Sequence, residues 1–496
     1  MIPKKKYVKF QGKILIIGCG SVSQCAIPMV VRHIDVDPKN VTIMDFVDNS
    51  HRVKDTLKKG VKYVNDRITK ENYSELLAKY VGDGDLIIDL AWNIDCIAML
   101  DWCREHNVLY CNTSVEEWDP YQDKERNDPT KYTLYSRHME IRRKIPLNEG
   151  PTAIVDHGAN PGLVSHFTKH ALIDIANKIV AEKPNDSRVP ELKKFIAAKN
   201  FAKLGQLTGT KVIHISERDT QITDKPKQVN EFVNTWSIEG FYEEGVAPAE
   251  LGWGTHERYV PKGAYFHKVG PQNQICLNSI GMKTWVRSWV PCGEITGMVI
   301  RHGEAFSISD RLTVWEDGKA VYRPTVHYAY CPSNAAINSL HELEMREFNL
   351  QEKQRIMNDE IIDGEDQLGV LLMGHDFKSW WCGSVLDIHT ARKLVTGQQA
   401  TTMQVAISVV AAAIWMINNP RRGFLMPDDV DHEPILEVAM PYINPFVSKA
   451  VDWTPLKNLN TTFTKFDLPK PSDEDVWQFT TFLVDHKERM HAQKVN

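Results

Sequence analysis

The first 155 residues alternate between short apolar runs and helical spacing. Apolar runs at residues 13–17, 41–45, 85–90, 108–111 and 152–156 predict strands, with a weaker one at Tyr63-Val64. Helical patterns lie between them at 26–31 and 94–106, and Thr69 is placed to cap a helix carrying Leu76, Leu77 and Tyr80. Strands alternating with helices form βαβ units, so this part predicts a parallel sheet. From about residue 211 to 330 the pattern changes. Strand-like runs at 211–215, 295–300, 306–315 and 321–330 follow one another without helices between them. That predicts a second, α+β domain on a mixed or antiparallel sheet. Helical patches precede it at 161–180 and follow it at 334–346. A buried helix over 401–419, ending at Pro420, is expected to return to the first domain. Residues 427–496 are rich in Pro and Asp and show no pattern that places them. The expected organisation is a cofactor domain over 1–157, a substrate and dimerisation domain over 158–400, and a C-terminal segment over 420–496.

At roughly 150 residues per domain, 496 residues suit about three domains or two large ones. Hydrophobic residues are 42% and charged residues 25%, which are globular proportions. A net charge of −5 argues against a general nucleic-acid binder. The nine cysteines are sparse, odd in number and without a CxxC, so reduced thiols in a cytoplasmic protein are expected. No histidine set has metal-ligand spacing, and no metal is expected. The N-terminus, Met1-Ile2-Pro3-Lys4-Lys5-Lys6, lacks the apolar core of a secretory signal. The longest nearly pure apolar run, 405–417, is 13 residues, short of the roughly 20 that span a bilayer.

Gly18-Cys19-Gly20 ends the first strand and opens a helix. Glycines there permit a tight turn and close backbone approach to a pyrophosphate. Ser23 takes the third position of the usual G-x-G-x-x-G. Asp45 closes the second strand, 25 residues beyond Gly20, where an acid bonds ribose hydroxyls; no Arg follows it directly, which favours NAD over NADP. The alternative is an ordinary βα turn with a surface aspartate. The expected fold is therefore α/β, with an N-terminal Rossmann-type sheet.

The middle of the chain is rich in Trp and Glu: Trp236, Glu239, Glu243, Glu244, Glu250, Trp253, Trp285 and Trp289. A Trp face binds ammonium groups, and carboxylates add Coulomb attraction. Taken singly, each reads more readily as a core tryptophan or a surface glutamate. His302 and Glu304, two apart at the end of a strand-like run, face one side if the strand continues, and such a pair can move protons on an amine. The alternative is a loop histidine beside a surface acid. Asn160, before Pro161 at the predicted first position of a helix, is either a ligand-facing amide or a helix cap.

Several segments together resemble the bacterial homospermidine synthase family, within the wider saccharopine dehydrogenase-like group. They include Ile17-Gly18-Cys19-Gly20-Ser21, Gly158-Ala159-Asn160-Pro161-Gly162, Glu217-Arg218-Asp219-Thr220-Gln221, Asn234-Thr235-Trp236-Ser237 and Ala249-Glu250-Leu251-Gly252-Trp253-Gly254-Thr255. Tyr322-Arg323-Pro324-Thr325, Leu368-Gly369-Val370 and Asp452-Trp453-Thr454-Pro455 extend the likeness over nearly the whole chain. The resemblance implies NAD held as a prosthetic group, putrescine as substrate and a homodimer; charge and the short apolar run lead to no nucleic-acid and no membrane partner being expected. It implies cofactor contacts at Gly18, Gly20, Ser21, Val22, Asp45, Asn112 and Thr113. Trp236 would hold a cationic intermediate by its ring; Glu116, Glu217 and Glu244 would bind ammonium ends; Asn160 and His302 would orient the reacting amine, with Glu304 in support. Asn93 stands where the family pattern has an acid, which weakens charge at the outer end of the pocket. Two other readings are a saccharopine-type amino-acid dehydrogenase, for which Arg258, Arg287 or Arg301 would grip a carboxylate, and a non-catalytic NAD-binding regulator.

Overall fold

The computed structural model describes residues 3–120, 128–459, 470–485 and 492–494. The first domain is built from β1 (Ile14–Ile17), α1 (Ser21–His33), β2 (Val41–Asp45), β3 (Lys62–Asn65), α2 (Tyr73–Tyr80), β4 (Leu86–Asp89), α3 (Cys96–Glu105), β5 (Leu109–Asn112), α4 (Leu134–Lys144) and β6 (Ala153–Ile154). Its strands lie in the order β3–β2–β1–β4–β5–β6, all parallel. Every residue of β1, β4 and β5 is buried, which is why these strands read as unbroken apolar runs rather than alternating ones. Chain order reverses between β1 and β4, and the crevice beyond that switch point is where open α/β sheets bind ligands. Thr69 does not cap α2; the helix starts after Asn72, whose side chain instead accepts from the Thr69 N–H at 2.8 Å.

The second domain contains α5 (Leu163–Glu182), β7 (Val212–Asp219), α6 (Ile238–Val246), β8 (Pro248–Gly252), β9 (Ala264–Phe266), β10 (Gln274–Ile280), β11 (Trp285–Val290), β12 (Gly293–Met298), α7 (Gly303–Arg311), β13 (Thr325–Cys331), β14 (Glu365–His375) and β15 (Lys378–Asp387). The chain continues through α8 (Ala400–Asn418), β16 (Phe424–Leu425) and β17 (Phe446–Val451). The ten-stranded sheet runs β9–β10–β8–β13–β7–β14–β15–β17, with the β11–β12 hairpin joined to β13. It is mixed: β13 and β7 are parallel, and the other pairs are antiparallel.

Three expectations are corrected here. Residues 306–315 are not a strand: 303–311 form α7, and a short strand follows at Val314–Glu316. Phe306-Ser307-Ile308-Ser309 alternates like a strand, but all four side chains are buried, so alternation there carries no information about a solvent face. Two helices, α6 and α7, therefore interrupt the supposed run of strands. Pro161 is not the first residue of a helix; α5 begins at Leu163 after Gly162, which has φ 130°.

The C-terminal stretch is partly placed. β16 adds in parallel to β6 at the edge of the first sheet, and β17 pairs with β15 at the edge of the second. Residues 460–469, 486–491 and 495–496 of that segment lie outside the described residues. Helix α8 packs against α1. By length and composition it would suit a membrane span, yet it is largely buried inside the protein. Helix α4 sits between β5 and β6 in the chain, but the second domain caps it. Both oxygens of Glu250 on β8 accept from its first turn, from Leu134 N–H at 2.6 Å and Tyr135 N–H at 3.2 Å.

Candidate active site

A cleft of about 360 Å³ opens where the switch point of the parallel sheet meets the second domain. The cofactor-like wall is mostly backbone. Gly18 has φ 89°, and a Cβ there would lie 2.9 Å from the Leu90 carbonyl oxygen. Gly20 precedes α1 and has open space where a side chain would be. Gly20, Ser21, Val22 and Thr113 line the cleft, an arrangement suited to a pyrophosphate at a helix start. Gly18, Asp45 and Asn112 do not line it. The Asp45 carboxylate braces the turn, accepting from the Cys19 N–H and from the Val47 N–H at 2.8 Å. Asn112 is buried and accepts from the Asp156 N–H at 2.9 Å, so in this structure it ties β5 to the loop after β6.

The opposite wall is made of charged side chains held out of water. Glu217, on β7, accepts from the Tyr328 hydroxyl and from Asn160 Nδ2 at 3.0 Å. Burial pushes its pKa up to about 7 against those hydrogen bonds, with help from neighbouring Asp219. His302 lies 3.1 Å from Glu244 through Nε2 and 3.3 Å from Glu304 through Nδ1. Burial opposes its charged form, but the two carboxylates outweigh burial and hold its pKa well above the usual value. This pair does not arise from a strand. β12 ends at Met298, His302 is the N-cap of α7, and Glu304 lies in its first turn, fully buried behind the imidazole rather than on the cleft. Trp236 lines the cleft and donates from Nε1 to the Tyr330 hydroxyl at 2.9 Å, which fixes its ring.

Glu116, which follows β5 on the first-domain side of the cleft, accepts from Ser114 Oγ at 2.7 Å and from the Asn93 N–H at 3.4 Å. Burial, and then the nearby Glu243, raise its pKa. Asn93 itself does not line the cleft; its backbone, at φ 57°, reaches Glu116. Of the Trp- and Glu-rich stretch, Trp236, Glu243 and Glu244 reach the site. Trp253, Trp285 and Trp289 pack against the hydrophobic cores instead.

Several functional candidates escape sequence reasoning. Arg137, on α4, lies 3.1 Å from Glu117 and 2.6 Å from Glu243, and Arg301 also pairs with Glu243. These are the cleft's two guanidiniums, and both are already neutralised. Asp366 on β14 stands opposite Asp219 on β7, two residues from Glu217 on the same face. Both are buried and raised in pKa, first by burial. Neither Asp366 oxygen has a hydrogen-bond partner among the described residues. Asp156 also lines the cleft. No local motif marks these residues; strand pairing and helix docking bring them together. The cleft thus presents five carboxylates (Glu116, Asp156, Glu217, Glu243, Glu244) against two arginines, a charge balance suited to a cation beside an aromatic face.

Residues 14–154 match the family model of the saccharopine dehydrogenase NADP binding domain, and residues 158–451 that of the saccharopine dehydrogenase C-terminal domain. The homospermidine synthase of Mesorhizobium japonicum is 38% identical over 485 residues, covering 96% of this chain and 97% of that protein. The Blastochloris viridis homospermidine synthase is 38% identical, covering 96% and 98%. A crystal structure of the Legionella pneumophila homospermidine synthase in complex with NAD superposes with a TM-score of 0.85 at 38% identity, over 96% of this chain and 98% of that one.

Proposed function

We propose a function on one premise: the chain belongs to the homospermidine synthase family. It is an NAD-dependent transferase that moves an aminobutyl group from one putrescine to a second and releases ammonia. The observation that carries this reading is the wall of desolvated carboxylates around Trp236 and His302, facing a glycine turn built for a dinucleotide. NAD, when bound, takes a hydride from the amine-bearing carbon and returns it to the later imine, so no oxidant is consumed overall.

The chain's own residues do the rest. Glu217 and Glu244 bind ammonium ends from the substrate side, and Glu116 does so from the cofactor side. Putrescine's reacting amine must lose a proton before its carbon can give up hydride. Glu217, with a pKa of about 7, is matched to take that proton. Asn160 and His302 orient the amine, and Glu304 holds His302 from behind. The Trp236 ring stabilises positive charge that develops on the iminium. Asn93 contributes through its N–H to Glu116, so the outer end carries one carboxylate there rather than two. Gly20, Ser21, Val22 and Thr113 cradle the dinucleotide, Gly18 and Asp45 shape the turn beneath it, and Asn112 ties β5 to the loop after β6.

An amino-acid dehydrogenase fits less well. Arg258 pairs with Glu474 and Asp475, Arg287 bonds the Leu483 carbonyl, and Arg301 is neutralised by Glu243. None is left to grip a carboxylate. We also place the protein in the cytoplasm as a homodimer; all nine cysteines are free thiols, as a reducing compartment keeps them, and two-fold pairs are the commonest assembly.

The test is incubation of the protein with putrescine and catalytic NAD⁺, following polyamines by mass spectrometry, ammonia by assay and NADH by absorbance. Homospermidine and ammonia without NADH build-up are expected. NADH accumulation without a new polyamine would overturn the reading.

A further inference from the structure

Asp156 joins three elements that the chemistry described above does not use together. It follows β6, is buried, and holds a left-handed backbone at φ 58°, a conformation that Asp, Asn and Gly tolerate best. Its N–H donates to Asn112 Oδ1. Its Oδ2 lies 3.0 Å from Nε2 of His138, a buried residue of α4. Against both packs the first turn of α7. A Cβ on Gly303 would overlap Asp156 Oδ2 and lie 3.2 Å from His138 Nε2. A carboxylate at the start of a helix is also favoured by the helix dipole. The residues on either side of Gly303 are His302 and Glu304.

We propose that Asp156 is a positioning residue: with His138 it seats the first turn of α7 and so sets where His302 meets Glu244. The inference rests on the function proposed above and adds a residue to it. The parallel sheet carries the cofactor side, whereas His302 belongs to the second domain. Asp156, just past the C-terminal end of β6, is where that sheet touches the helix bearing His302, so it fixes the distance between the two halves of the reaction. His302 faces Glu244 of α6, Glu304 of α7 and Tyr328 of β13, and its contacts of 3.1 and 3.3 Å leave little slack.

The test uses G303A, D156G, D156N and the double variant D156G/G303A in the full chain. Adding a methyl at residue 303 displaces the turn, and a misplacement of about 1 Å costs roughly 100-fold in rate. G303A is expected to lose about that much kcat, with KM for putrescine and bound NAD changed no more than about threefold. D156G keeps the backbone conformation and removes the overlapping carboxylate, so D156G/G303A recovers about tenfold of the G303A loss. D156N, which keeps the shape, retains more kcat than D156G. The second readout needs no turnover: histidine NMR, with H302Q for assignment. In G303A the His302 titration moves down towards the ordinary histidine range as its carboxylate contacts open. Wild-type kcat and titration in G303A would overturn the proposal, as would a lost melting temperature with an unmoved His302. If the unaltered protein makes no homospermidine, the functional reading fails, while the titration still decides the role of Asp156.

Discussion

The two walls of the cleft offer a ligand different things. On the parallel-sheet side, a turn with almost no side chains lets backbone N–H groups and a helix start do the work. On the opposite side, Glu217, Glu244 and His302 are charged groups held away from water and fixed by Tyr328, Asn160 and Glu304. Backbone recognition leaves nothing to titrate and depends on space and dihedral angles. Buried charge is costly to hold alone, gives strong attraction to an arriving ammonium, and responds to pH. One wall is therefore sensitive to shape and the other to charge.

Variants separate the two. The largest effect is expected for Glu217→Gln. Removing one partner of a buried charged contact costs about 2–5 kcal/mol, so kcat/KM for putrescine falls by roughly 30- to 5,000-fold while bound NAD, measured after denaturation, is unchanged. Trp236→Ala comes next. A desolvated cation–π contact is worth about 2 kcal/mol, so turnover falls roughly 30-fold, and Phe restores part of it. Unchanged turnover would remove the ring from the mechanism. On the other wall, Gly18→Ala places a side chain at φ 89° against the Leu90 carbonyl. At a strain of about 1–2 kcal/mol, NAD binds roughly tenfold more weakly, yet turnover at saturating NAD stays near the original. If it were turnover that collapsed, the division between the walls would fail.

The smallest effect is a pH dependence. The folded-state pKa of Glu217, about 7, lies above its usual value of 4.5. The folded protein thus keeps a proton that the unfolded chain releases between those values. Its contribution to stability is fully present below about pH 4.5 and is lost as pH rises through 7. Ammonium binding needs the ionised form, so kcat/KM should rise up to about pH 7 and then level off. Glu217→Gln should flatten both the rate profile and this part of the stability profile, the latter read by denaturant titration at pH 5 and 8.

The shape-sensitive wall is the one the sequence reveals. Buried strands written as Ile-Leu-Ile-Ile, glycines at fixed spacing and an acid closing β2 are local signals, and a parallel sheet is local in its repeating units. Trp236, His302 and Glu217 enter through family likeness, and the structure brings all three to one cleft. Arg137 is not visible in sequence because a helix of the first domain has its first turn capped from the second, by Glu250. Asp366 meets Asp219 across 147 residues of chain only through the β7–β14 pairing. Helix α7 is hidden for a different reason. Where both faces of a helix are buried, the polar residues that would mark its period are free to fall anywhere.

The return of β16 to the first sheet has a mechanical consequence. The second domain leaves the parallel sheet through β6 and comes back at β16, and these strands lie side by side, with Ala153 opposite Phe424 and Ile154 opposite Leu425. The chain then crosses a third time, from β16 to β17 at the edge of the second sheet, so three connections tie the two sheets together. A truncation before residue 424 would remove β16 and β17 together, stripping one edge strand from each sheet at once.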